Sequence, residues 1–379
     1  MILDSLHFWT EEMGVDGFRF DLATILGRRA SGFDEKHPLL EKISKDPILS
    51  KKKLIAEPWD IGSNGYHLGA FPHGWHEWND VFRDSVRGFW HGHQDHIGKI
   101  AYAVTGSRHH FNRKNTGNTH SINFITAHDG FTLNDLVSYN IKHNESNGEE
   151  NRDGNNNNIS FNHGTEGWTN NPVISALREK QKRNFIATLM LSHGTPLLLA
   201  GDEFGNTQEG NNNVYCQDNS IGWINFSNKN TAEGRYLMEF TGKLTALRRQ
   251  YSVLNPVRPL DGKEKSSDGI KDITWYHCSG SEMSHNHWCN HQEKALGVLF
   301  NGMTKNSADP ADNRLFIIFN AHSVNIPFVL PELPCIQGWE RILDTSAPDI
   351  ERGKDKTVYM SQKPYYTESQ SLVIFHPVS

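Results

Sequence analysis

The sequence predicts an α/β segment followed by an antiparallel β domain, and three observations support this fold class. Short continuous apolar segments alternate with helical patterns up to residue 254, which is typical of a parallel sheet covered on both faces. Each of these apolar segments ends in an acidic residue: Asp21, Glu57, Asp129 or Asp202. After residue 254 only short strand patterns with turn-rich spacers follow. We therefore predict one domain over residues 1–254 and a second over residues 255–379.

The elements of the first domain follow from local patterns. Apolar residues recur at spacings of three and four over residues 2–13, which predicts a helix that Gly14 ends. Four strands are predicted over residues 15–21, 54–57, 121–129 and 195–202. Pro172 begins a long helix with Asn171 as its cap, and residues 231–249 form a further helix. Because barrel enzymes carry their chemistry at the carboxyl ends of strands, the acidic strand ends favour a (β/α)8 barrel.

The second domain contains six strand patterns without an intervening long helical pattern. They lie at residues 272–277, 297–301, 315–320, 326–330, 357–359 and 371–375. This arrangement predicts an antiparallel β-sandwich.

Composition and charge exclude several classes of protein. The 379 residues carry a formal net charge of -6, which disfavours nucleic acid or an anionic membrane as the main partner. No segment approaches the ~20 consecutive apolar residues that span a bilayer. Four cysteines are too few for a disulfide scaffold, and the first residues lack an export-signal pattern, so we expect reduced thiols and a cytoplasmic protein. They are Cys216, Cys278, Cys289 and Cys335.

Three carboxylates at strand ends suggest glycoside chemistry, because retaining cleavage needs a carboxylate nucleophile and a carboxylic acid about 5–5.5 Å apart. Arg19 precedes Asp21 by two residues, so on a strand both side chains point to one face and the guanidinium can hold the carboxylate ionised. Apolar neighbours of Glu57 should raise its pKa, as a general acid requires. Asp129, next to His128, could bind sugar hydroxyls in the transition state. An Asp after a strand is also often only a helix cap, but the three together favour catalysis.

These residues lie in segments that resemble a known superfamily. Residues 17–21 (Gly-Phe-Arg-Phe-Asp), 56–60 (Ala-Glu-Pro-Trp-Asp) and 127–130 (Ala-His-Asp-Gly) resemble the second, third and fourth sequence regions of the α-amylase superfamily. Longer segments are similar to the isoamylase-type debranching enzymes, namely residues 75–89, 131–139, 147–154, 200–205 and 210–218.

The resemblance implies a fold and a set of roles. The fold would be the C-terminal part of a TIM (β/α)8 barrel, strands four to eight, followed by the all-β sandwich. Asp21 would be the nucleophile, Glu57 the acid/base and Asp129 the transition-state stabiliser, with Arg19 and His128 binding substrate. The activity would be retaining hydrolysis of α-1,6 branch linkages in glycogen or its limit dextrin, without a cofactor or a metal.

The sequence also departs from that family. The first superfamily region, an Asp-Val-Val-x-Asn-His type of motif, is absent, and the resemblance starts at the helix before the fourth barrel strand. We therefore expect an N-terminally truncated member. Two alternatives stay open: a glucan-transferring, branching-type enzyme with the same three carboxylates, and an inactive fragment that binds glucan weakly at most.

Two segments superficially suggest metal sites. A His/Cys cluster over residues 277–291 lacks the C-x2–4-C spacing of structural zinc sites, so it is predicted to be a loop. The acidic segment 149–153 fails as an EF-hand, because counting from Asp153 there is no Gly at position six and Gly164 stands where a Glu is needed. A solvated loop is predicted there.

Overall fold

The computed structural model describes residues 1–111, 120–256, 260–264, 269–302, 313–347 and 357–378. The α/β part comprises, in chain order, α1 (Ile2–Glu11), β1 (Gly17–Phe20), the hairpin β2 (Arg28–Arg29) and β3 (Gly32–Phe33), α2 (Pro38–Lys45), β4 (Lys53–Ala56), β5 (Trp75–Asn79), α3 (Asp80–Trp90), α4 (Ile97–Val104), α5 (Arg108–Phe111), β6 (Ser121–Phe124), α6 (Leu133–Leu136), α7 (Pro172–Leu191), β7 (Thr195–Leu197) and α8 (Ala232–Gln250). Strands β1, β4, β5, β6 and β7 form a five-stranded parallel sheet in this order.

The predicted helices are confirmed, and their ends follow from local chemistry. The Asn171 side chain accepts a hydrogen bond from the Val173 backbone N–H at 3.0 Å, which satisfies a free donor at the start of α7. Thr231 caps α8 in the same way through the Gly234 N–H at 3.0 Å. The chain leaves α1 through Gly14 at φ +71°, a conformation that glycine adopts without strain.

The sheet differs from the sequence prediction in two respects. Strand β5 was not predicted, because His76 and Glu77 interrupt its apolar pattern; Glu77 is nevertheless buried, and it accepts the Gly69 backbone N–H at 2.6 Å. In addition, β6 and β7 end several residues earlier than predicted. Asp129 and Asp202 therefore lie on the loops after these strands, whereas Asp21 and Glu57 directly follow theirs.

The second part of the chain contains β8 (Ile273–Tyr276), α9 (His285–Trp288), β9 (Ala295–Asn301), β10 (Arg314–Asn320), β11 (Ile326–Val329), β12 (Gly338–Asp344), β13 (Val358–Tyr359), β14 (Pro364–Thr367) and β15 (Ser371–Val378). A six-stranded sheet in the order β13-β12-β15-β10-β9-β8 accompanies a two-stranded sheet of β11 and β14. All pairs are antiparallel, as predicted. Each of the six predicted strand patterns overlaps an observed strand; β12 and β14 were missed.

The two parts share a core through strand β10. Leu315, Ile317 and Phe319 pack into the cluster that contains the apolar faces of α3, α7 and α8. The alternate residues Phe316 and Ile318 pack into a second cluster, between the two sheets of the β domain. Because side chains alternate along a strand, one fully buried strand supplies both clusters. Among the described helices, none is both long and apolar enough to cross a bilayer.

Both edges of the parallel sheet are open among the described residues, since β1 pairs only with β4, and β7 only with β6. The helix that precedes β1 also exposes Phe8 and Trp9, whose rings contact each other edge to face. Unpaired strand edges and exposed apolar groups each favour association between chains.

We therefore expect Trp9→Lys to reduce self-association of the chain, because the charge would oppose contact between the exposed apolar faces of α1 in two copies. Static light scattering over a concentration series measures this. The matched control is Met238→Lys on α8. It places a charge at a similarly exposed apolar position that belongs to neither α1 nor β1. Equal scattering by both variants would contradict this prediction.

Candidate active site

Asp21 and Glu57 lie side by side where β1 and β4 end. The strands are in register, with Phe20 opposite Ala56, so the next residue of each strand is an acid. The pairing continues past the strands: the Glu57 N–H donates to the Phe20 carbonyl at 3.1 Å, and the Ala23 N–H donates to the Glu57 carbonyl at 3.0 Å. The backbone thus fixes the two carboxylates next to each other.

Arg19 bridges these two carboxylates. Its Nη1 lies 2.9 Å from Asp21 Oδ1, and its Nη2 lies 3.1 Å from Glu57 Oε2. The guanidinium also stacks on the Trp78 ring, 4.4 Å from the ring centroid, which orients the charge through a cation–π contact. The contact between Arg19 and Asp21 was predicted, but the second half of the bridge and the role of Trp78 were not.

The environments of the two acids differ. The Asp21 side chain is 69% exposed, whereas that of Glu57 is 7% exposed. Burial raises the pKa of Glu57, and the negative charge and hydrogen bond of Asp21 add to this, while the Leu22 N–H and Arg19 oppose it. The raised pKa expected for Glu57 is thus present, and its first cause is burial, although the contacts of the carboxylate are polar.

Leu22 contributes to the site through its backbone alone. Its N–H donates to Glu57 Oε2 at 2.8 Å, and its φ of +42° lies in the left-handed region, which is uncommon for a leucine. Sequence patterns did not indicate this contact, because every residue except proline carries the same backbone N–H donor.

His128 and Asp129 approach the same edge from the loop after β6. His128 Nε2 lies 3.5 Å from Asp129 Oδ2, and the His128 ring meets the Trp78 ring edge to face at 5.8 Å between centroids. Trp78 is therefore in contact with both Arg19 and His128, and it joins the two halves of the site. The Asp129 carboxylate is 75% exposed and faces solvent.

The fourth strand-end acid has a different environment. Asp202 is buried, and its carboxylate accepts hydrogen bonds from the Thr126 hydroxyl and, at 2.9 Å, from the Leu133 N–H. It contacts the loop that carries His128 and Asp129.

Two segments superficially suggested metal sites in the sequence, residues 277–291 and 149–153. Among the described residues, no group of three or more His, Cys, Asp or Glu side chains is suited to hold a metal ion. His277 instead stacks on His287, with ring centroids 4.0 Å apart. Asp153 Oδ2 accepts the side-chain amides of Asn147 at 2.7 Å and Asn213 at 2.8 Å. All four cysteines are free thiols.

Known proteins resemble this chain over nearly its whole length. Residues 272–375 match the isoamylase C-terminal family. A glycogen operon protein GlgX homolog of Mycobacterium tuberculosis (strain ATCC 25618 / H37Rv) is 45% identical over 356 residues, which cover 92% of this chain and 49% of the relative. A glycogen debranching enzyme of Dickeya chrysanthemi is 46% identical over 288 residues, covering 76% of this chain and 42% of the relative.

The solved structure of a pullulanase from Bacillus acidopullulyticus shares the fold, with a TM-score of 0.69 at 19% identity over 99% of this chain and 39% of that chain. The chain spans about half the length of the curated relatives it matches. The combined similarity in sequence, C-terminal domain and fold shows that the chain belongs to the isoamylase-type family of the α-amylase superfamily, with a C-terminal β-sandwich.

Proposed function

We propose that this chain acts on α-glucans and hydrolyses α-1,6 branch linkages in glycogen or its limit dextrin. The observation that carries the proposal is the bridged pair at the ends of β1 and β4. One exposed carboxylate and one buried acid with a raised pKa share the Arg19 guanidinium. Relatives named as glycogen debranching enzymes support the choice of linkage. A pullulanase of Anoxybacillus that was solved with maltotetraose supports a malto-oligosaccharide as ligand class.

The mechanism is a double displacement. Asp21 attacks the anomeric carbon and forms a glycosyl ester, while protonated Glu57 gives its proton to the departing glycosidic oxygen. Glu57, now ionised, takes a proton from water as that water attacks the same carbon and releases Asp21. Asp129 and His128 bind the sugar hydroxyls most strongly as the transition state forms. Protein carboxylates supply every proton transfer, so no cofactor takes part.

We also infer that β1, β4, β5, β6 and β7 correspond to strands four to eight of a (β/α)8 barrel. Their number, parallel direction and sequential order support this assignment. The catalytic part would then extend over residues 1–254 and the β-sandwich over residues 255–379. Glycogen metabolism among the relatives supports a cytoplasmic location.

The proposed activity is tested with glycogen limit dextrin as substrate. A debranching hydrolase releases reducing ends and linear chains from this polymer, and it leaves unbranched maltoheptaose intact as a control. A transferase would rearrange chain lengths without a net gain of reducing ends. Binding without either change would indicate an inactive fragment, and both of these results would contradict the proposed hydrolysis.

Replacing Arg19 with Gln should move the alkaline limb of the pH profile of kcat/KM to higher pH. Arg19 favours the ionised form of Glu57, so its loss raises the pKa of Glu57 and preserves the protonated acid to higher pH. The overall rate should fall, because Asp21 loses its partner. The control is Arg29→Gln, which removes an equal charge from a pair with Asp34. If the alkaline limb shifts equally in both variants, the shift is an effect of net charge, and a local effect of Arg19 on Glu57 is refuted.

A further inference from the structure

Asp202 joins the two ends of the loop that carries His128 and Asp129. It follows β7, the residue is 1% exposed, and each of its carboxylate oxygens accepts one hydrogen bond from that loop. The Thr126 hydroxyl donates to Oδ2, and the Leu133 N–H donates to Oδ1 at 2.9 Å. The two donors flank Asp129 in sequence, one before it and one after it.

The position of Asp129 depends on this loop backbone. Its carboxylate is exposed and pairs with the exposed His128 at 3.5 Å, a contact too weak in water to fix a side chain. The loop itself is held at three points: by Asp202, by the Gly130 N–H that donates to the Asn212 carbonyl at 2.9 Å, and by Arg87, whose Nη2 donates to the Ile125 carbonyl at 2.6 Å. Asp202 is the one among these that holds both ends.

We propose that Asp202 is a positioning residue, which holds residues 126–133 in the conformation that keeps Asp129 at the reacting sugar. The inference rests on the proposed function, since it assigns Asp202 an effect on the same reaction. Displacement of a catalytic group by about 1 Å can lower a rate by about 10²-fold. A residue that holds the loop of a solvent-exposed acid can therefore affect the rate without touching substrate.

The two hydrogen bonds that Asp202 accepts, from Thr126 and Leu133, form a clamp on the loop, and their chemistry distinguishes two substitutions. Asn keeps an oxygen that accepts the Leu133 N–H, and its NH2 group can donate to the Thr126 hydroxyl oxygen. Burial, with the nearby charges of Asp135 and Glu203, raises the pKa of Asp202 to about 7, so a neutral amide is also well tolerated at this site. Ala removes both hydrogen bonds. Asp202→Asn should thus retain the loop conformation that Asp202→Ala loses.

Asp272 provides a matched control in the β domain. It is also buried, and its two oxygens accept the backbone N–H groups of Asp261 at 3.1 Å and Gly262 at 2.8 Å. Asp272→Ala therefore removes the same kind of clamp from a loop that belongs to the other domain.

Two measurements on the full chain test the proposal. Hydrogen–deuterium exchange of peptides covering residues 126–133 should become faster in Asp202→Ala, and stay unchanged in Asp202→Asn and in Asp272→Ala. On limit dextrin, Asp202→Ala should lower kcat by about 10–10²-fold with KM nearly unchanged. In an Asp129→Ala background, Asp202→Ala should cause no further loss, because its effect acts through Asp129.

The proposal would be overturned if hydrogen–deuterium exchange of residues 126–133 were unchanged in Asp202→Ala. It would also be overturned if Asp202→Ala lowered kcat in the Asp129→Ala background by as much as it does in the wild-type chain. The failure of the proposed function is seen separately. If the wild-type chain releases no reducing ends while the exchange of residues 126–133 still responds only to Asp202→Ala, the hydrolytic function is rejected and the clamp is supported.

Discussion

Glu57→Gln is expected to lower the rate of branch hydrolysis by about 10²–10⁴-fold while glucan binding persists. The amide cannot donate a proton to the departing oxygen, yet it fills the same space and can still accept the Leu22 N–H that Glu57 Oε2 accepts at 2.8 Å. Initial rates of reducing-end release from limit dextrin, with binding measured by calorimetry, provide the test. The loss should shrink for a glycoside whose leaving group departs without protonation.

Glu77→Gln is the matched control for this experiment. Glu77 is also a buried glutamate, opposite Ala56 on the neighbouring strand β5, and it accepts the Gly69 N–H at 2.6 Å without contributing to the proposed chemistry. Its replacement should leave kcat close to the wild-type value. A near-normal kcat in Glu57→Gln would refute the assignment of the general acid.

Asp21→Ala should abolish the covalent glycosyl-enzyme and reduce turnover by about 10⁴-fold or more, since a missing nucleophile has no substitute in the site. Asp21 suits this role because its carboxylate is open to substrate and is held by Arg19 at 2.9 Å. A fluorinated glycosyl donor should trap the intermediate in the wild-type chain, and peptide mass mapping should locate the label on Asp21.

Asp60→Ala serves as the control for labelling. Asp60 lies three residues after Glu57 in the sequence. Its carboxylate accepts the Gly62 N–H at 2.6 Å and contacts Thr24 and Arg28, so it stabilises a loop. This variant should still be labelled at Asp21. A label on Asp129 or Asp60 in the wild-type chain would mean that another carboxylate is the nucleophile.

Local features of this protein were predictable from sequence. The cap at Asn171, the strand pattern of β10 and the acids directly after β1 and β4 depend on residues close together in the chain. Hydrogen bonding within a turn and the period of side chains along a strand determine these features. The order of an α/β part followed by a β part is predicted by the change from alternating strand and helix patterns to strand patterns alone. The roles of Asp21, Glu57 and Asp129 stay predictions.

Only the tertiary structure determined how the site is held together. Strand β5 was missed because burial of its Glu77 depends on a backbone N–H from a separate loop. Trp78 on β5 contacts Arg19 on β1 and His128 after β6, and Asp202 accepts a hydrogen bond from Thr126, 76 residues earlier in the chain. Such contacts join residues far apart in sequence, and they form only when strand register brings those residues together. Sequence patterns therefore indicated candidate acids, whereas packing between strands and loops determined their burial, partners and positions.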